Sequence, residues 1–174
     1  ITGIKTYWLK VPYDKPFEPT WYPGKRETHQ HILLVRVMTD EGIEGYGSGE
    51  FPFGLTPTYM TFIQDMIAPW LIGQDPLMIE KLATRLKGDG RLAPRPWIVE
   101  NALWDILGKK AGLPAYKVMG GYRDHIPAYA AMCELRSDEE RQEDALRLFD
   151  EGFRAAKLRL LTPTIKEYFH IGEN

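Results

Sequence analysis

The stretch Gly152-Phe153-Arg154-Ala155-Ala156-Lys157-Leu158-Arg159-Leu160-Leu161 decides how the chain is read, because it sets two cations into what otherwise has the composition of a buried strand. Residues two apart on a strand share a face, so Lys157 and Arg159 project together while Ala156, Leu158 and Leu160 line the other side. With the apolar side packed under helices, the paired cations face either water or an interior in which carboxylates, a metal-bound anion or a substrate balances them. A half-exposed strand with solvated cations gives the same alternation, so these residues alone leave both readings open.

The flanking sequence alternates strand and helix. Residues 126–133 read as a strand of small residues. Ser137 with Glu140 three positions on is a capping box, opening a helix through Glu151 whose apolar positions Ala145, Leu146, Leu148 and Phe149 are expected to be buried. Gly152 ends it, residues 155–161 form the next strand, and Thr162-Pro163 starts another helix. Strand, helix, strand, helix with short connections implies parallel strands joined by right-handed crossovers. Two such strands leave both sheet edges open, and a closed βα barrel takes about 250 residues. The sequence therefore reads as the front of a longer array, or as one completed by segments outside it.

Further upstream the pattern differs. Residues 3–11 alternate as a strand, with Pro12 as its expected end. Residues 13–28 carry Pro16, Phe17, Pro19, Trp21, Tyr22 and Pro23 with no period, and read as a long loop. A loop of this length is uncommon unless disordered or functional, and its large aromatics argue against plain disorder. A substrate-contact role and simple surface packing both remain open. Residues 29–39 and 43–50 are strands joined by the hairpin turn Asp40-Glu41-Gly42. His29 and His31 share a strand face, but no third ligand follows at a supporting spacing, which favours ordinary strand histidines over a metal site. Gly45-Tyr46-Gly47-Ser48-Gly49 lacks the dinucleotide spacing and the Gly-Lys-Ser/Thr of a P-loop, so it is discounted as a phosphate cradle.

Three helices are expected next. Thr56-Pro57 opens the first, with Thr56 as N-cap and Pro69 as a break or kink. Asp75-Pro76 opens the second, with Leu77, Ile79, Leu82, Ala83 and Leu86 buried and Gly88 as its stop. The strongest spans 97–111, with Val99, Leu103, Ile106 and Leu107 on its apolar face and Trp97 and Trp104 as core residues. Lys109, Lys110 and Gly112 suit its C-terminal end. Pro114 opens a short helix that ends at Gly120-Gly121.

At 174 residues the chain is long enough for one domain with a proper core, or for one and part of another. Its net charge of −2, with scattered Lys and Arg, argues against nucleic acid as a partner. The single cysteine, Cys133, forms no internal disulfide and has no histidine nearby in sequence, so it reads as a small core residue and not as a nucleophile. No basic-then-apolar leader opens the sequence, and no apolar run approaches the about 20 residues that span a bilayer. The expectation is a cytoplasmic protein without membrane contact.

The hairpin Asp40-Glu41-Gly42 to Gly49-Glu50, the helix-to-double-glycine segment from Val99-Glu100-Asn101-Ala102 to Met119-Gly120-Gly121, the 126–131 strand and the 152–159 stretch occur in the order found in one family. The chain resembles the mandelate racemase and muconate lactonizing enzyme branch of the enolase superfamily over nearly its whole length. The resemblance implies an α+β N-terminal capping domain, a three-stranded antiparallel meander plus helices, over residues 1–125. It implies the start of a TIM-like (β/α) barrel, its first two βα units, over 126–174. It also implies a homo-oligomer, a small-molecule carboxylate substrate, and Mg2+ with ligands expected beyond residue 174.

In that family the first long loop of the cap touches the substrate, which makes Trp21 and Tyr22 candidate substrate-binding residues, with the loop beginning at Phe51 a second candidate. A Lys-x-Lys pair ends the second barrel strand; Lys157 falls on its first lysine and Arg159 on its second, and both are candidate catalytic residues. The shared chemistry is removal of the proton α to a carboxylate, giving an enediolate stabilised by metal and cations. A neighbouring cation disfavours a second charge, which readies a lysine for proton transfer.

Here the sequence departs from the pattern, because an arginine stays protonated and cannot serve as the base. Arg159 is therefore expected to orient or neutralise an anionic substrate group, leaving proton abstraction to Lys157 or to a residue beyond Asn174. That favours one-base dehydration of a sugar acid over two-base racemisation, epimerisation or cycloisomerisation. A non-catalytic relative, or an isolated cap module binding a partner through its aromatic loop, is the alternative of another class. Glu100 and Asp105 are read as structural.

Overall fold

The computed structural model describes residues 1–20, 24–51, 54–92, 96–134 and 136–158. Three strands open the chain, β1 (Gly3–Phe17), β2 (Glu27–Met38) and β3 (Glu44–Glu50), in the order β1-β2-β3 of an antiparallel meander. β2 and β3 run in register from Met38↔Glu44 to Ile32↔Glu50. The hairpin turns on Gly42 at φ +78°, a conformation that costs a Cβ-bearing residue more. Thr39 reinforces it, its hydroxyl donating to the Ile43 carbonyl at 2.8 Å and accepting from the Ile43 N–H at 3.1 Å.

Pro12 does not end the first strand, which continues five residues further to Phe17. β1 is an edge strand, and there a proline's missing N–H need not interrupt a ladder. Residues 13–17 and 27–28 of the segment expected to be irregular are strand instead.

The helical layer comprises α1 (Thr56–Phe62), a π-helical turn (Ile63–Ile67), α2 (Ala68–Leu71), α3 (Ile79–Asp89), α4 (Trp97–Ala111) and α5 (Ala115–Val118). Thr56 is inside α1 and the N-cap is Leu55, with no side-chain cap bond, so the expected Thr56 cap is not made. The first helix is carried into Pro69 through the π turn, whose wider spacing tolerates the donor that proline lacks. Asp75 accepts the Leu77 N–H at 2.9 Å in a turn of its own, which delays α3 to Ile79 and leaves Leu77 exposed. Gly88 lies within α3 and does not stop it.

α4 has the bounds read from the sequence, with Gly112 at φ +64° behind it and the Leu113 N–H on the Gly108 carbonyl. It is buried along two faces, through Ile98, Ala102 and Ile106 and through Val99 and Leu103, because it lies between the sheet and α3. With Leu33, Val35 and Val37 of β2, Ile63, Ile67 and Leu71, and Leu82 and Leu86 of α3, these residues make one core. Burying each such side chain stabilises the fold by about 1.5–3 kcal/mol. Trp104 packs against that core, whereas Trp97, at the first turn of α4, is 43% exposed and is not the core residue expected.

After α5 the chain forms β4 (Ala130–Met132), α6 (Asp138–Asp150) and β5 (Ala156–Leu158), with β4 and β5 parallel in the register Ala130↔Ala156, Ala131↔Lys157, Met132↔Leu158. β4 is shorter than the strand expected over 126–133, and Ile126 is 81% exposed. The capping box is present in full: the Ser137 N–H donates to Glu140 Oε2 at 2.8 Å and the Glu140 N–H to Ser137 Oγ at 3.2 Å. α6 buries none of its described residues, and Leu146 and Phe149 are exposed, contrary to expectation. A two-stranded sheet offers one helix too little surface to cover its apolar stripe.

Contacts divide the chain into two compact units. One holds Ile1–Val11 and Gln30–Tyr122, and the other Pro12–His29 and Arg123–Asn174.

Candidate active site

Lys157 occupies the middle of β5, opposite Ala131 of β4. Alternation along both strands gives the sheet two faces. Ala130 is 7% exposed and its register partner is Ala156, whereas Ala131 and Lys157 are exposed, so the Ala130 face is the covered one. Lys157 and Ala131 are on the opposite face. In a βα barrel the helices lie outside, and the face away from them looks into the barrel. The Lys157 ammonium is exposed and stands 6.0 Å from the centre of the Tyr129 ring, at the outer reach of a cation–π contact. β5 is not the buried strand its composition suggested, since Leu158 is 55% exposed. It is the last strand of a two-stranded sheet, with no described strand beyond it.

Arg159, Trp21 and Tyr22 lie outside the described residues, as does the helix expected from Thr162. The residues leading to the two aromatics are described and are fixed in place. Pro19 forms an antiparallel bridge with Glu134, and the Thr20 N–H donates to the Cys133 carbonyl at 2.9 Å. Thr20 is 4% exposed. Glu18 ties the other side of this segment, its carboxylate accepting from the Gly24 N–H at 3.0 Å and from Arg26 Nε at 3.3 Å. The chain entering Trp21 is therefore attached just past the C-terminal end of β4, the end at which barrels of this kind build their active sites. Nothing in the sequence of the loop signalled this docking, because it is made by backbone atoms.

Among the described residues, no three His, Cys, Asp or Glu side chains come together to cage a divalent ion. They do not supply the magnesium site that the resemblance implies, whose ligands it expects beyond residue 174. His31 is otherwise engaged: its Nδ1 accepts from the Trp8 indole at 3.0 Å, which places the neutral ring's own hydrogen on Nε2. Lys10 stands 4.3 Å from the centre of the Trp8 ring. Asp105 accepts from the Tyr46 N–H at 2.8 Å and Lys109 at 2.7 Å, tying α4 to β3, which is the structural role expected of it.

The glycine run of β3 also has a structural use that the sequence reading missed. A Cβ at Gly47 would lie 1.9 Å from the Ile98 carbonyl oxygen, and one at Gly45 would lie 2.0 Å from that of Ala102. Gly45, Gly47 and Gly49 share one strand face and let α4 lie directly on the backbone. Their period of two, together with a small residue at Ala102, was the available signal.

The sequence over residues 10–120 matches the profile of the family described as mandelate racemase / muconate lactonizing enzyme, N-terminal domain. The chain belongs to that family. Its relatives within the family include the N-succinyl-L-Arg/Lys racemase of Bacillus cereus, 29% identical over 96% of this chain and 46% of the relative. The crystal structure of that racemase superposes with a TM-score of 0.79 at 26% identity, over 92% of this chain and 44% of the other. The D-xylonate dehydratase of Haloferax volcanii is 32% identical over 76% of this chain and 34% of the relative. The muconate lactonizing enzyme of Pseudomonas fluorescens complexed with muconolactone superposes with a TM-score of 0.77 at 26% identity, over 98% of this chain and 48% of the other. The chain thus spans less than half the length of each.

These matches show the fold class: an α+β cap of meander and helices, followed by the start of the βα barrel. Family relatives include sugar-acid dehydratases, racemases and a cycloisomerase. No helix among the described residues is long and apolar enough to cross a membrane.

Proposed function

We propose that the full-length protein is a magnesium-dependent enzyme that abstracts the proton α to a carboxylate, and that its reaction is dehydration of a sugar acid. The observation that carries the reading is the parallel β4–β5 pair with Lys157 on the face opposite the buried Ala130, in a chain of this family. In this reading Lys157 faces the substrate anion or serves as the base. Arg159, which keeps its proton, neutralises an anionic group of the substrate. Trp21 and Tyr22 close against the substrate from the segment anchored by Pro19 and Thr20. A bound magnesium ion would supply Lewis-acid stabilisation of developing negative charge, and its ligands are expected beyond residue 174. The reading also takes residues 1–125 as cap and 126–174 as the first two barrel units, and the enzyme as a cytoplasmic homo-oligomer.

In the reaction the α C–H bond breaks with its proton passing to the base. The β C–O bond then breaks as the hydroxyl takes a proton back from the protonated base and leaves as water, and the resulting enol takes a solvent proton at the β carbon and loses its O–H proton to give a 2-keto-3-deoxy acid. The test is incubation of the full-length protein with Mg2+ and a panel of sugar acids. A keto acid from one of them is the predicted result, and none from any counts against dehydration.

A second reading, racemase, epimerase or cycloisomerase, is supported by the racemase relative that aligns with 96% of the chain. Racemisation requires competent groups on both faces of the substrate, and an arginine at position 159 withholds one of them. Failure of the full-length protein to bind Mg2+ at millimolar concentration would instead favour a non-catalytic binding relative.

A further inference from the structure

The C-terminal end of β4 carries a chain of ion pairs that the proposed reaction does not use. Glu134 Oε2 accepts from Arg136 Nη2 at 2.6 Å and from Nε at 3.0 Å. Arg136 Nε also lies 3.2 Å from Asp144 Oδ2 of α6, and Asp144 Oδ1 lies 3.3 Å from Arg147 Nη2. The side chains of Arg136, Glu134 and Asp144 are 35%, 33% and 22% exposed, so solvent screens these charges only in part. The guanidinium of Arg136 thus bridges the strand exit and the second turn of α6 with its planar fork of donors. Beside it lies a cavity of about 380 Å3 bordered by Phe17, Cys133, Glu134 and Leu148.

The backbone of Glu134 is the bridge partner of Pro19, and the adjoining Cys133 carbonyl receives the Thr20 N–H. An isolated exposed ion pair adds little stability. A partly buried fork that joins a helix to a strand exit instead restricts where that exit can sit, since displacing one carboxylate leaves its partners' charges uncompensated. Whatever holds Glu134 therefore also holds the platform on which Pro19 and Thr20 dock.

We propose that Arg136 is a positioning residue that, by clamping Glu134 to Asp144, holds the exit of β4 where Pro19 and Thr20 dock and so governs substrate affinity and not the chemical step. The affinity part rests on the proposed substrate contact of the residues following Thr20, whereas the clamp itself stands without it. The test compares the full-length protein with Arg136→Ala, Arg136→Lys and Asp144→Asn. Amide hydrogen exchange is followed in peptides covering residues 17–26 and 31–38, and kcat and KM are measured on the sugar acid turned over.

In Arg136→Ala the Thr20 amide is expected to exchange about tenfold faster while the β2 core amides of Leu33, Val35 and Val37 keep their protection. KM is expected to rise about tenfold with kcat changed by less than about twofold, with partial recovery in Arg136→Lys. Unchanged Thr20 exchange in both Arg136→Ala and Asp144→Asn, or a fall in kcat at constant KM, overturns the proposal. If Arg136→Ala loses protection throughout, Asp144→Asn decides by the same Thr20 readout. If the unaltered protein turns over no acid, that counts against the proposed reaction. Thr20 exchange then judges the clamp alone, faster exchange supporting it and unchanged exchange contradicting it.

Discussion

Lys157 is exposed on β5, so cutting it back to alanine removes little beyond its 6.0 Å approach to the Tyr129 ring. Lys157→Ala in the full-length protein is expected to lower kcat by about 10²–10⁴-fold, the usual contribution of a proton-transfer group, with an unchanged melting temperature. Full activity in that variant would remove Lys157 from the mechanism. Glu44 gives a prediction of a different kind. It receives hydrogen bonds from Arg36 and from the Tyr46 hydroxyl, the latter at 2.7 Å, and these hold its carboxyl below the usual range, with the Arg36 bond the main cause. The same bond from Tyr46 to Glu44 pushes the Tyr46 phenol above its ordinary value. A depressed carboxylate contributes stability above its unfolded value of about 4.3, which is lost as pH falls through the folded one. A raised phenol contributes below about 10 and is lost as pH rises through its folded value. Stability curves of Glu44→Gln against pH are therefore expected to be flatter than those of the parent at both ends, and parallel curves would contradict this. The place of Lys157 on a strand was legible in the sequence because alternation with small apolar residues is visible in one dimension. The docking of Thr20 on Cys133 was not, since a backbone hydrogen bond between residues so far apart leaves no side-chain signature.

At the scale of elements, the contact between β3 and α4 is the most sharply defined. Gly47→Ala places a methyl group 1.9 Å from the Ile98 carbonyl oxygen, and the helix must move off the strand to admit it. A loss of at least about 2 kcal/mol in denaturant unfolding is expected. Gly88→Ala, in the last turn of α3 with no atom within 4 Å of the added carbon, is expected to stabilise by about 0.5–1 kcal/mol. Equal effects of the two would mean that helix packing is not what the β3 glycines serve. Ser137→Ala removes the cap of α6 and is expected to cost about 1 kcal/mol. The bounds of α4 and the capping box of α6 were legible because helix ends are written in short-range chemistry, proline before and glycine after, or serine three residues ahead of glutamate. The starts of α1 and α3 were misplaced by one and by several residues. Thr56 and Asp75 have the right side chains for caps, but Thr56 is drawn into the buried helix and Asp75 bonds its own turn.

For the molecule as a whole, the order of elements carried most of the fold: an antiparallel meander, a helical layer with one core, then a parallel βαβ unit. The parallel pairing followed from connection length, which sequence does show. The extent of burial in that unit did not follow, because α6 and β5 have no further strand beside them among the described residues, which a local pattern cannot show. Within the proposed chemistry both dehydration and racemisation remove the α hydrogen; a racemised acid regains one there, whereas a dehydrated acid loses water and keeps none. The most direct measurement is turnover by the full-length protein with Mg2+ and sugar acids in deuterated water, read by mass spectrometry and proton NMR. The account predicts a keto acid carrying one solvent deuterium at the carbon next to the carbonyl. Recovery of every acid with all its carbon-bound hydrogens in place would contradict it.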